Sequence, residues 1–454
     1  MNIKFDDSLR VLADCVSEVL GAEQLVAGIV LRDSTGRLAF FSSSELDETT
    51  ISTLSKNLSS ALGPYARKDR VIVNSTDYGA TSVLENENAL KIQVHIYQIR
   101  LVDLRIAGAD WLRAPTTQAP PPARFVFSSI KGGVGRSTSL AIIAAELARR
   151  GLRVLAIDLD IEAPGLGPIL LNEKTLPEFG LLDALVENGI SPLDERFLAD
   201  LIGPSDIAEG RGRIDVIPVL GKRSLDNPAE VLAKIARAYN ENIKEDRIET
   251  ILDQIRSLID SFSDPKRYDA ILVDARAGLH ETSASAILGL GAEVFLFGLD
   301  EPQTFQGFKI LLAHMARFDT GQSPAEWLSR FTLVQGKAPN EQSKRQNFSE
   351  QCQNLFSEVG LGPQQQPVVI TPDISADTFS NPPWNDDVPD ADVLPKEDLQ
   401  FLDPLFILYD PRFSGFNPQK QPDLLNNGIY TSSYAQLIEK VLSSIQIDMG
   451  TSQQ

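Results

Sequence analysis

The chain reads as an α/β protein: a mostly parallel sheet flanked by helices, with a small α/β domain in front of it. Three observations carry that reading. From Arg124 onward, short apolar runs of strand length alternate with stretches of helical periodicity. One of these runs passes through a glycine-rich loop straight into a helix, an arrangement that aims free backbone N–H groups and a helix N-terminus at a polyphosphate. Upstream, the proline-rich segment Arg113 to Ala123 interrupts the pattern and marks a boundary.

Residues 1–112 make the first unit. Leu9, Leu12, Val16, Val19 and Leu20 line one face of a helix that Gly21 stops. Leu25 to Leu31 and Leu38 to Phe41 flank Asp33-Ser34-Thr35-Gly36 and read as a hairpin. A second helical stripe follows at Ile51, Leu54, Leu58 and Leu62. Ile92 to Ile106 is strand-like, with a bend or break near Gln98 or Asp103. No catalytic constellation is visible here, so the unit is expected to carry partner or effector specificity; the alternative is a domain that buttresses its neighbour. Residues 113–123, with four prolines, form a stiff connector.

Residues 124–454 make the second unit. The strand Phe125 to Phe127 enters Lys131-Gly132-Gly133-Val134-Gly135-Arg136-Ser137-Thr138, where the glycines let main chain approach phosphate oxygens. A helix follows through Leu140, Ile143, Ala144 and Leu147, then a strand Val154 to Ile157 ending in Asp158-Leu159-Asp160. A further strand, Ala270 to Val273, is closed by Asp274 and continues Ala275-Arg276-Ala277-Gly278. Phosphoryl transfer depends on placement and charge neutralisation, so carboxylates at strand ends beside a phosphate loop suit it. Between these motifs, Gly180 to Leu185 reads as a short helix, Ile214 to Pro218 as an extra strand and Leu232 to Asp260 as helical. Ala292 to Gly298, Phe331 to Val334 and Val368 to Ile370 supply later strands, the last ending the sheet at Pro372-Asp373. Asp386 to Asp398, rich in proline and acid, reads as a draped loop after Trp384. The final helix, Tyr434 to Ile445, has no basic excess on its polar face, which favours core packing over a membrane surface.

These motifs resemble those of the ParA/MinD partition and cell-division ATPases, over roughly Arg124 to Asp373. KGGVGRST is similar to the deviant Walker A loop KGGxGK[ST], Asp158-Leu159-Asp160 to the Walker A′ motif, and the strand ending at Asp274 to Walker B. The resemblance implies a P-loop NTPase sheet, ATP with Mg²⁺, and an ATP-dependent homodimer in which Lys131 reaches the partner's nucleotide. It implies nucleotide contacts from Lys131, Gly132, Gly133, Val134, Gly135, Arg136, Ser137 and Thr138, and from a Gly278 N–H near the γ-phosphate. It places Mg²⁺ at Ser137, Asp158 and Asp274, catalytic roles on Asp160, Lys131 and Arg136, and an adenine contact on Gln335. Arg136 stands where the family carries lysine, a wide flat guanidinium in place of a compact ammonium, so ATP binding is expected to survive and turnover to be slow. Arg276 replaces the family's proline and is expected to supplement the γ-phosphate clamp or to pair with Asp160 or Asp274. Loops of this KGGVGR type also resemble ATPases of multi-gene bacterial systems, phage defence among them.

Composition narrows the remaining classes. At 454 residues, two or three domains are expected. Cys15 and Cys352 lack metal-ligand spacing and there are three histidines, which argues against iron–sulfur, zinc or iron sites. No apolar run has membrane-spanning length and no signal pattern opens the chain, so a cytoplasmic location is expected. Net charge is −20; from Glu341 onward 16 acidic residues face 6 basic ones, and no lysine- or arginine-rich run appears. A protein that rides on bulk DNA needs basic surface, so nucleic acid is not favoured as partner. The expected function is a nucleotide-operated switch that recruits partner proteins. A nucleotide-holding pseudo-ATPase scaffold and a ParA-like DNA-partition ATPase are the alternatives.

Overall fold

The computed structural model describes residues 3–87, 89–208, 212–243, 248–318, 325–361 and 403–451. In the first unit, β-branched and aromatic runs become β1 (Ile29–Arg32), β2 (Leu38–Phe41), β3 (Ile72–Val73), β4 (Leu90–Val94) and β5 (Tyr97–Asp103). They form one sheet in the order β3-β2-β1-β5-β4. β1 and β2 are the antiparallel hairpin expected around Asp33, although Leu25 to Ala27 belong to the helix Ala22–Ala27 and not to the strand; β1 and β5 run parallel. Helices Phe5–Leu20 and Glu48–Leu62 bury Leu12, Val16, Leu54 and Leu58 against one face of this sheet. The segment read as one bent strand is two antiparallel strands, β4 and β5. Its break falls at His95-Ile96, just before Gln98, where His95 takes a φ of 53°, and β5 ends at Asp103.

The second unit is built on β6 (Ala123–Ser129), β7 (Arg153–Asp158), β8 (Gly203–Pro204), β9 (Arg213–Ile217), β12 (Ala270–Ala277), β13 (Glu293–Gly298), β14 (Phe331–Ala338) and β15 (Leu405–Leu408). The intervening β10 (Asn242–Ile243) and β11 (Ile248–Glu249) form a separate two-stranded pair. The sheet order is β15-β14-β13-β6-β12-β7-β9-β8. Every neighbouring pair is parallel except β8 with β9. Alternation along each strand sends successive side chains to opposite faces. Phe125 and Phe127 therefore pack with helices Arg136–Arg149 and Asn427–Thr451, whereas Val126 packs with Ile255, Ile259 and Leu312 on the other face. Both faces are thus covered, as a parallel sheet requires.

One later expectation changes. The helical stretch Leu232 to Asp260 is two helices, Val231–Ala238 and Ile251–Phe262, separated by β10 and β11. Thr250 starts the second helix with a capping box to Asp253, a stop-and-restart signal that apolar spacing alone cannot register. The edge strand beside β14 is β15, while Val368 to Ile370 and the Asp386 to Asp398 loop lie outside the described residues. The last helix packs into the core as expected: Tyr430, Leu437, Val441 and Ile445 are buried, and the Tyr430 hydroxyl donates to Glu146 at 2.5 Å. Among the described residues, no helix is long and apolar enough to cross a membrane.

The proline-rich connector lies along the second unit. Thr116 N–H donates to the Leu288 carbonyl at 2.8 Å and Ala119 N–H to that of Gly291 at 2.9 Å. Arg113 pairs with Asp253 at 2.5 Å, and the His314 ring meets the Trp111 carbonyl at 2.5 Å.

Candidate functional site

β6 ends at Ser129, the loop crosses Ile130 to Gly135, and the helix begins at Arg136. Gly133 and Gly135 take φ values of 78° and 95°, where a side chain would be strained. A Cβ built on Gly132, Gly133 or Gly135 meets no atom within 4 Å, so open space stands in front of all three. Behind the loop the packing is tight: a Cβ at Gly336 of β14 would collide with the Val134 carbonyl. A loop braced from behind, open in front and running into a helix N-terminus fits a polyphosphate.

Strand order brings the acidic motifs to this loop. β12 lies between β6 and β7, with Asp274 in register with Phe127 on one side and Asp158 on the other. Arg136 is buried among these carboxylates. Its Nε donates to Asp274 Oδ1 at 2.5 Å, Nη2 to Asp160 Oδ2 at 3.0 Å and Nη1 to Ser129 Oγ at 3.3 Å. Burial alone would lower the Arg136 pKa; Asp274 and Asp160 outweigh it and hold the guanidinium above its ordinary value. Burial raises Asp274, against the opposing pull of Arg136. Ser137, in the first turn of the helix, lies near enough to Asp274 to oppose that upward shift, so a hydroxyl neighbours the carboxylate.

Two further cations flank the loop, and each is also paired. Lys131 Nζ lies 2.9 Å from Glu301 Oε2, both side chains being about two-fifths exposed at 43 and 40 %. Arg276 pairs with Glu162, and the Tyr239 hydroxyl donates to the same Glu162 oxygen. Arg276 thus pairs with neither Asp160 nor Asp274, because Arg136 already satisfies both. The three pairs differ in strength. Removing Arg136 would leave two enclosed carboxylates uncompensated, at roughly 3–5 kcal/mol. The two partly exposed pairs are each worth about 0–1 kcal/mol.

Other expected site residues are placed differently. Asp158 is fully buried and spends both oxygens on its own loop, accepting from the N–H groups of Asp160, Gly165 and Leu166 at 2.9–3.1 Å. It organises the turn that carries Asp160. Gly278 N–H donates to the Ser129 carbonyl at 2.8 Å, so it is committed to the sheet and not offered to a phosphate. Gln335 is buried in β14 and does not line the open loop; alternation puts it on the opposite face from Gly336, and its Oε1 has no partner. Thr138 lies partly exposed in the first turn of the helix. Glu301, Glu162 and Tyr239 escaped sequence reading, since each is tied to the site only by a pairing across the fold. The acid in Asp160-Ile161-Glu162 was the one local signal available. Among the described residues, no group of three or more His, Cys, Asp or Glu side chains is arranged to hold a metal unaided.

Fold and site together define a P-loop nucleotide-binding protein. Residues 125–358 match the CobQ/CobB/MinD/ParA nucleotide binding domain, just over half of the chain, and the chain belongs to that family. It is similar, at 28 % identity over 158 residues, to a protein of Oltmannsiellopsis viridis named for septum-site determination (MinD). That match covers 35 % of this chain and 39 % of the relative, well under two thirds of its length. Among solved structures, similarity extends to the MinC:MinD cell division complex of Aquifex aeolicus, with 16 % identity, TM-score 0.40, and 71 % of this chain and 96 % of that chain covered. It extends also to a plasmid partition protein of Borrelia burgdorferi, with 20 % identity, TM-score 0.34, and 51 % and 85 % covered.

Proposed function

We propose that this protein is an ATP-operated switch: it binds ATP at the Ile130–Gly135 loop, hydrolyses it slowly, closes as an ATP-dependent homodimer in the cytoplasm and recruits partner proteins within a multi-component system. Backbone N–H groups of Gly132 to Thr138 would receive the phosphates, with Lys131 serving the partner's nucleotide. Mg²⁺, when bound, supplies charge neutralisation on the phosphates, and Ser137 and Asp274 are the residues that would hold it. Asp160 would orient the attacking water. The observation that carries this reading is the glycine loop, open in front and backed by Arg136, Asp160 and Asp274 within one hydrogen-bonded group. The first unit, residues 1–112, would provide the surface for partners.

Slow turnover follows from the same group. Arg136 can serve the phosphates only by giving up two carboxylates that hold it, and a guanidinium follows a moving phosphate less freely than an ammonium. This pairing also favours a second reading, a scaffold that holds nucleotide without turning it over. Calorimetry with ATP, ADP and GTP tests the site itself: uptake of adenine nucleotide supports it, and no uptake of any by folded protein removes it. Phosphate release with and without candidate partners then separates switch from scaffold.

A further inference from the structure

The cations around the loop are not equally free to move. Arg136 is 10 % exposed and held by two carboxylates and a hydroxyl. Arg276 and Glu162 are 29 and 27 % exposed, at the margin of the site. The main chain at Arg276 is nonetheless firmly located. Its carbonyl accepts from Ser283 Oγ at 3.2 Å, Ala277 is in register with Ser129, and Gly278 N–H bonds the Ser129 carbonyl. Since Ser129 leads directly into the phosphate loop, the Arg276 turn is fastened to the loop's entrance. The β12–β6 pairing shifts register between Asp274 and Ala277, an irregularity of the kind that re-aims a side chain next to a site.

Arg276 follows Asp274 by two residues, and Glu162 follows Asp160 by two. The two acidic strand ends therefore carry two arginine–carboxylate groups in succession: an enclosed one at Arg136 and a solvent-reachable one at Arg276. Glu162 would not be stranded by the departure of Arg276. Tyr239 already donates to it, and His280 Nε2 lies 4.0 Å from the same oxygen.

We propose that Arg276 is the γ-phosphate-sensing cation of this site, paired with Glu162 when no γ-phosphate is bound and transferred to the terminal phosphate when ATP binds. The proposal rests on the reading of Ile130–Gly135 as an ATP loop and adds the residue that tells ATP from ADP. A guanidinium matches carboxylate and phosphate with the same two-pronged geometry, so one can replace the other without rebuilding the side chain. ADP lacks the group that would draw Arg276 away, and it should leave the Glu162 pair intact.

The test measures binding of ADP and of the non-hydrolysed analogue AMPPNP, each with Mg²⁺, to the full chain. Arg276→Gln should weaken AMPPNP about tenfold and ADP less than about threefold. Glu162→Gln, which removes the competing charge, should tighten AMPPNP about threefold and leave ADP unchanged. Equal effects on both nucleotides, or none on either, would overturn the assignment. Both side chains are partly exposed, so melting curves should remain native; if Arg276→Gln does not fold, the sign of the Glu162→Gln effect decides. Wild-type protein that takes up neither nucleotide refutes the ATP reading itself, a result distinct from binding without discrimination at Arg276.

Discussion

Arg136 and Asp274 meet at 2.5 Å, Nε to Oδ1, joining the first residue of the phosphate-loop helix to a carboxylate in the central strand β12. The Asp274 side chain is 1 % exposed and that of Arg136 10 %, so each depends on the other for compensation. Arg136→Ala should therefore act on the fold as well as on the ligand. Urea unfolding is expected to show a loss of roughly 3–5 kcal/mol, with nucleotide affinity falling below detection. Unchanged stability would mean that the pair does not persist in solution.

Asp160 shares Arg136 through Nη2 at 3.0 Å and, on the proposed reading, also orients water. Asp160→Ala should trap an ATP-bound dimer that does not release phosphate. Normal phosphate release by this variant would clear Asp160 of a catalytic role.

Lys131 is held within its own chain by Glu301, which precedes helix Pro302–Met315. If Lys131 serves the partner's nucleotide, Glu301 competes for it. Lys131→Ala should bind nucleotide yet stay monomeric, whereas Glu301→Gln should dimerise with ATP at lower protein concentration than wild type. Light scattering reads both, and an ATP-dependent dimer of Lys131→Ala would contradict the cross-subunit role.

Asp158 offers a pH test. Burial, reinforced by neighbouring Asp274, pushes its carboxyl up to about 7. The folded protein thus holds this proton more tightly than the unfolded chain, whose value lies near about 4. Its contribution is present below about pH 4 and is lost as pH rises towards 7. Asp158→Asn cannot ionise and lacks that term. Apart from a constant offset for the lost acceptor, its melting temperature should gain on wild type between about pH 5 and pH 8. Parallel profiles would show that Asp158 titrates normally.

Tyr430 ties the last helix to the phosphate-loop helix through Glu146, which Arg149 and Arg150 also bind at 2.7 and 2.6 Å. Tyr430→Phe should cost about 1–2 kcal/mol in denaturant unfolding. No loss would show that the Tyr430–Glu146 bond adds nothing to the apolar packing of that helix.

Much of the fold was legible from local pattern. Strands β6, β7, β9, β12 and β13 follow apolar runs because a strand covered on both faces must be apolar throughout. The loop between Ser129 and Arg136 was legible because its glycine spacing has few other uses. The helix break before Thr250 was not, since apolar periodicity continues through it.

The order of residues along the chain determined an α/β architecture, a glycine loop with acids at two later strand ends, and an arginine where lysine was expected. Only the folded chain decided which charges meet. Arg136 faces Asp160 and Asp274, Arg276 goes to Glu162, Lys131 goes to Glu301, and Asp158 turns to its own loop. The reason is physical: local pattern reports burial and turns, whereas an ion pair between Arg136 and Asp274, 138 positions apart, exists only because parallel strand order sets β12 beside β6.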